Sequence, residues 1–285
     1  MSAIELLIEP RRRPVGDGTV ERLLPYRERR MVGPFVYLDR IRPEDLAPGV
    51  GIDVPAHPHI GLSTLTYLLD GRMVHRDSVG SVQTIEPGAV NWMTAGSGVT
   101  HTERSPVDER DTARSIAGLQ MWVALPSDAE DTAPFFDHRP ADVIPSERID
   151  GAAVRLVAGR GFGMTSPVPV SSPLVLAELE LAGGGVTIES DSPERALLAL
   201  DGAVAVGGQA LPNGRLAVLA SDQAPRVEGR GRVVLLGGEP VGPRYIRWNF
   251  VHSDRDRIED ATQQWREQRF PTVPDDHDGW VPLPG

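Results

Sequence analysis

"PAHPHIGLSTLTYLLDGRMVH" occupies residues 55–75 and decides how the rest of the chain is read. It sets His57 and His59 one residue apart, ahead of the short apolar run "LSTLTYLL" (62–69), and ends that run at Asp70-Gly71. A run of this length, bounded by glycine and rich in Leu and Thr, reads as a β-strand. Side chains at i and i+2 of a strand share a face, so the two histidines can converge on one point. Two readings stay open here: a polar strand end, or half of a metal site.

Outward from this stretch, 30 glycines and 26 prolines punctuate the chain every few residues. Between them lie further short runs, among them "AVNWMTA" (89–95), "SIAGLQMWVAL" (115–125), "LVLAELEL" (174–181) and "GRVVLLGG" (231–238). Alternation is clear where Leu174, Leu176, Glu178 and Glu180 oppose Val175, Ala177, Leu179 and Leu181. The pattern predicts an all-β sandwich or barrel. The two halves echo each other as strand, Asp-Gly, strand, glycine turn, strand, and the pairs Asp70-Gly71 and Asp201-Gly202 predict type I′ hairpins. The polar, proline-rich stretch 126–151 suggests a break near residue 138, giving domains 1–138 and 139–285. One helix is expected at about 253–270, capped by Ser253 with Asp256, presenting Ile258, Ala261 and Trp265 on one face and stopped by Pro271.

Composition removes several function classes. The chain of 285 residues has no cysteine, which excludes disulfides, thiolate zinc sites and thiol catalysis, so any metal must sit on histidine and carboxylate. No apolar stretch approaches the roughly 20 residues of a membrane span, and "MSAIELLIEPRRRP" lacks the order of a secretory signal; a cytoplasmic protein is expected. A net charge of −11 argues against nucleic acid as a partner. The local runs "RRR" (11–13) and "RERR" (27–30) read as solvated surface.

A second i, i+2 pair stands in "THTERSP": His101 and Glu103. Two strands, each giving two polar groups on one face, would build a four-ligand site inside a barrel. The spacing Gly51, His57, His59, Thr64, Gly71 resembles the first cupin motif with Thr64 at the usual glutamate, and "GSGVTHTE" resembles the second with Gly96 in place of proline. The long matches "RRMVGPFVYLDRI" (29–41), "HPHIGLSTLTYLLDG" (57–71), "HRDSVGSVQTIEPGAVNWMTAGSGVTHTE" (75–103), "GEPVGPRYIRWNFV" (238–251) and "IEDATQQWREQRFP" (258–271) resemble the pirin family over nearly the whole chain.

That resemblance implies two cupin domains, jelly-roll-type β-barrels packed face to face in a monomer, with a C-terminal helix. It implies His57, His59, His101 and Glu103 as ligands of one divalent metal, usually Fe(II), with Mn, Ni, Cu or Zn tolerated. Glu103 then replaces the glutamate missing at Thr64, while Ser63 departs from the glutamate many pirins carry beside the site. The second half, with no histidine between His138 and His252, is expected to lack a metal. His75 is expected on a strand near the pocket mouth, His138 and His277 facing solvent, and His252 in a structural role. Two functions follow from the resemblance. One is a quercetin 2,3-dioxygenase-like enzyme that takes a small aromatic substrate and O2, with Glu103 as base. The other is an iron-dependent redox sensor that binds a protein partner. A metal that serves folding alone is the third reading.

Overall fold

The computed structural model describes residues 2–15, 18–189 and 191–284. The chain forms two compact units, each built on antiparallel sheets with the cupin topology. The first comprises Arg12–Val20, Asp39–Ala141 and Val241–Gly285; the second comprises Met1–Arg11, Glu21–Leu38 and Asp142–Pro240.

In the first unit a four-stranded sheet runs in the order Asp53–His59, Val99–Arg104, Met73–Asp77, Val82–Ile85. A second sheet brings together Phe135–Arg139, Val90–Thr94, Leu62–Asp70 and Arg114–Ala124, in that order. The strand Leu62–Asp70 is buried along all but its last two residues. Burial on both faces explains why it reads as a continuous run of Leu and Thr with no polar alternation.

Asp70-Gly71 is not a hairpin turn. Leu62–Asp70 pairs with Val90–Thr94 and Arg114–Ala124, whereas Met73–Asp77 pairs with Val99–Arg104 and Val82–Ile85, so the chain crosses here from one sheet to the other. Only Gly71 takes positive φ, at 79°, and a Cβ on it would stand 2.3 Å from the Ser115 carbonyl oxygen. Asp70 instead accepts the Gly71 N–H on its own side chain. Asp201-Gly202 is not a hairpin turn either, since Glu194–Ala199 and Ala203–Val206 pair with successive stretches of Arg226–Gly238 and not with each other; Gly202 has φ 82°, and a Cβ on it would meet the Arg230 carbonyl oxygen at 2.1 Å. Close backbone approach, not turn type, selects glycine at both places.

The second unit is a sheet in the order Ile4–Ile8, Leu216–Leu219, Glu194–Ala199, Arg226–Gly238, Leu174–Thr187, Ala152–Gly161, Ser146–Ile149. Its core takes the inward set of the alternating strand, Val175, Ala177, Leu179 and Leu181, together with Leu197, Val233 and Leu235. Among the described residues it contains no histidine.

These units depart from a division at residue 138. The N-terminal strand Ile4–Ile8 pairs with Leu216–Leu219 and belongs to the second unit, where Ile4 and Ile8 are buried. Residue 138 itself lies inside the strand Phe135–Arg139, which is hydrogen-bonded to Val90–Thr94. The C-terminal segment joins the first unit. Its helix α1, Arg255–Arg266, packs Ile258, Ala261 and Trp265 with Ile60, Phe250 and Phe270. The helix is capped by Asp254, which accepts from the Asp256 N–H, because Ser253 donates its hydroxyl to Glu130 instead. It ends before Pro271, with Gln268 in the left-handed region at φ 54°. No described helix is long and apolar enough to cross a membrane.

Trp265 is the largest side chain that α1 buries, and its indole N–H donates to the Val281 carbonyl. Trp265→Ala is therefore expected to destabilise the first unit by about 3–5 kcal/mol, measured by urea unfolding.

Candidate metal centre

The four-stranded sheet brings the histidines together by register. His57 lies directly across from His101 on the neighbouring strand, and His59 pairs with Val99. With alternation on each strand, the three imidazoles point to one place inside the barrel. Their rings are 4.2 Å (His57 to His101), 5.0 Å (His59 to His101) and 5.2 Å (His57 to His59) apart, centroid to centroid. One ring nitrogen from each lies within 4.8 Å of the others, and all three residues are buried.

Burial fixes their charge. It pushes His59 and His101 well below the ordinary histidine value of 6.5, and crowding by neighbouring imidazoles pushes the same way. Burial also lowers His57, against the pull of Glu103 and of its bond to the Pro55 carbonyl. Neutral imidazole is the form that binds metals.

Hydrogen bonds fix the tautomers. His57 Nδ1 donates to the Pro55 carbonyl at 2.8 Å and His59 Nδ1 to the Asn249 carbonyl at 3.2 Å, since a carbonyl can only accept. In the neutral ring Nε2 then keeps its lone pair. His101 Nε2 is buried with no hydrogen-bond partner in the chain. A buried nitrogen with no protein partner, beside two neutral imidazoles with free Nε2 atoms, fits a divalent ion, which this group can hold.

Glu103 stands beside this group and not within it. It shares His101's face of the strand and its charge acts on His57, but its carboxylate does not join the 4.8 Å set. Two features hold it off. The pairing with Asp53–His59 shifts between His101 and Glu103, and Thr66 in the facing sheet donates to Glu103 Oε1 at 2.7 Å. The same hydroxyl lies 2.7 Å from Gln120 Oε1, so Thr66 Oγ1 offers its one proton to two oxygens. Of the four residues expected as ligands, the structure thus gathers three and places the fourth adjacent.

Thr64 is buried two residues before Thr66, outside the imidazole group. Ser63, on the alternate face of that strand, bonds Thr94 Oγ1 at 2.9 Å. Trp122 meets His59 edge to face at 5.1 Å.

His75 lies on the strand Met73–Asp77, as expected. It is buried, stacks on Phe136 at 4.5 Å, and its Nδ1 lies 3.4 Å from His101 Nδ1, while its Nε2 lies 2.9 Å from Asp77 Oδ2. The signal was present, because His75 and Asp77 repeat the i, i+2 spacing of the other two pairs. His138 is half-buried and not solvent-facing, its Nδ1 bonded to Asn91 Oδ1 at 2.8 Å. His277 is exposed, and His252 is buried where its Nδ1 accepts the Asp254 N–H beside the helix cap.

The depressed histidines imply a direction for stability. The unfolded chain takes up protons below about pH 6.5 while the folded site stays neutral, so stability is full above that value and falls as the pH drops through it. Urea unfolding of the metal-free chain at pH 7.5 and pH 5 is expected to show this loss, and His59→Asn should reduce it.

Comparison with known proteins agrees with this site and fold. The pirin family model matches residues 17–123, and the model of the pirin C-terminal cupin domain matches residues 176–271. A pirin-like protein of Caulobacter vibrioides is 46% identical over 99% of this chain and 99% of its own. A Pseudomonas aeruginosa protein provisionally named quercetin 2,3-dioxygenase is 40% identical over 89% of this chain and 81% of its own. The crystal structure of a quercetin 2,3-dioxygenase from Acinetobacter baumannii superposes with a TM-score of 0.90 at 35% identity, covering 98% of this chain and 95% of that one. With two cupin domains, three buried imidazoles in the first, and these relatives along its whole length, the chain belongs to the pirin family.

Proposed function

We propose that the chain is a metal-dependent dioxygenase of the quercetin 2,3-dioxygenase type, acting on flavonol-like aromatic substrates with O2. The observation that carries the reading is the group of three neutral, buried imidazoles with a carboxylate held beside it. The names of the Pseudomonas and Acinetobacter relatives support the reaction class. His57, His59 and His101 are the residues that would hold the ion, with Glu103 as the fourth donor or as a base beside it. Three imidazoles and a carboxylate suit Fe(II), though affinity alone would also admit Mn, Ni, Cu or Zn. Bound there, the ion would supply a Lewis-acid and redox centre for an oxygen-bearing ring and dioxygen.

The chain's own part is placement and proton handling. Pro55 and Asn249 carbonyls orient two imidazoles, and Trp122 flanks His59 with an aromatic wall. Thr66 occupies Glu103 Oε1, so Oε2 is the oxygen left to accept the proton of a substrate hydroxyl. Glu103→Gln keeps the shape and removes the base. It is expected to lower turnover by a factor on the order of 10²–10⁴ while metal content stays near that of the wild type. Parallel loss of metal and turnover would make Glu103 a ligand only. The direct test is oxygen uptake by anaerobically Fe(II)-loaded protein given quercetin, beside a His101→Ala control. Uptake in the first and none in the second is expected; no uptake by protein confirmed to hold iron would contradict the proposal.

A further inference from the structure

We propose that Asp77 and His75 are positioning residues that set the tautomer of His101, holding the proton on its Nδ1 and keeping its Nε2 lone pair free for the metal. The inference rests on reading His101 as a ligand.

Asp77 Oδ1 accepts the Val79 and Ser81 backbone N–H groups at 3.0 and 2.9 Å, which pins the carboxylate in the turn after its strand. Oδ2 therefore faces His75 Nε2, 2.9 Å away. A carboxylate only accepts, so the proton of a neutral His75 lies on Nε2 and its Nδ1 presents a lone pair. His101 Nδ1 lies 3.4 Å from that lone pair and must be the donor. The proton of His101 is then on Nδ1, and Nε2 is bare. That atom is the buried nitrogen without a partner in the chain.

The arrangement is built, not incidental. His101 pairs directly with Asp77 across the strands, and Glu103 with His75, so the relay and the ligand sit on adjoining strands of one sheet. Asp77 is fully buried, and Phe136 stacks on His75 with an interplanar angle of 19°, which fixes the ring plane. His57 and His59 take the same tautomer from backbone carbonyls; for His101 side chains do this work. Groups that fix a ligand's tautomer commonly change metal affinity on the order of 10–100-fold when altered.

Asp77→Asn separates this role from a structural one. The two backbone N–H groups still need an acceptor, so the carboxamide oxygen stays at the Oδ1 position and its NH2 turns toward His75. His75 Nε2 must then accept, its proton moves to Nδ1, and His101 Nδ1 must accept in turn. The proton of His101 is forced onto Nε2, the atom the metal needs, with almost no change of shape.

The experiment uses the full chain labelled with ¹⁵N-histidine. Nitrogen NMR of the metal-free protein reads the tautomers, and competition with a chromophoric chelator under nitrogen reads Fe(II) affinity. The wild type should show His101 protonated at Nδ1 and bare at Nε2. Asp77→Asn should reverse the two and weaken Fe(II) binding on the order of 10–100-fold. Adding His75→Phe to Asp77→Asn removes the link that forces the wrong tautomer, so the double variant should bind more tightly than Asp77→Asn alone. A purely structural Asp77 predicts the opposite order. Should Asp77→Asn not fold, His75→Phe alone carries the test: its ring can keep the stack on Phe136, and His101 should lose its single tautomer and bind more weakly than in the wild type. The proposal is overturned if wild-type His101 carries its proton on Nε2, or if both single variants bind Fe(II) as the wild type does. Failure of the metal reading looks different, because the wild type would then take up no Fe(II) whatever its tautomers.

Discussion

Three imidazoles buried within 4.8 Å of one another can coexist only if none is charged and each has its N–H spoken for. That requirement governs the barrel interior. Two of the Nδ1–H groups are taken by carbonyls at Pro55 and Asn249, and the third turns to His75. What remains is a set of lone pairs facing one another, an arrangement that costs stability without a cation and gains it with one. The centre of the first unit thus carries three buried imidazoles that could hold a positive ion.

The fold serves this constraint through strand geometry. The Asp53–His59 and Val99–Arg104 strands are neighbours, so one register pair, His57 with His101, brings imidazoles together that are 44 positions apart in sequence. The facing sheet contributes Thr66, whose hydroxyl holds Glu103, and Trp122, which walls His59. The sheets are joined at Gly71, where the chain passes too close to Ser115 for any side chain. The second unit has a comparable close backbone approach at Gly202, against Arg230, and fills its core with Val, Leu and Ala. It keeps the architecture, and among its described residues there is no histidine.

Much of this was legible in the sequence, because period-two spacing is a local property. His57, His59, His101 and Glu103 announce a shared face, the runs between glycines announce strands, and Ile258, Ala261 and Trp265 announce the buried side of a helix. What escaped depends on contacts between distant segments. Nothing local in "IELLI" says that it will pair with Leu216–Leu219, or that α1 will cover Ile60 and Phe250. The Asp-Gly pairs misled because a close backbone approach and a hairpin want the same glycine for different reasons. Glu103 followed the alternation but not the distance, since its hydrogen bond to Thr66 belongs to the facing sheet. His75 and Asp77 carried the same spacing as the ligand pairs, yet only the structure shows which histidine they address.

The hydrogen bonds and burial of His57, His59 and His101 suit one site for a single divalent ion. A crystal of protein loaded with Fe(II) under nitrogen, with diffraction recorded on both sides of the iron absorption edge, tests it directly. One anomalous peak per chain, within bonding distance of the Nε2 atoms of all three histidines, is the predicted result. Iron elsewhere on the chain, or no peak among these imidazoles in protein shown to contain iron, would contradict the account.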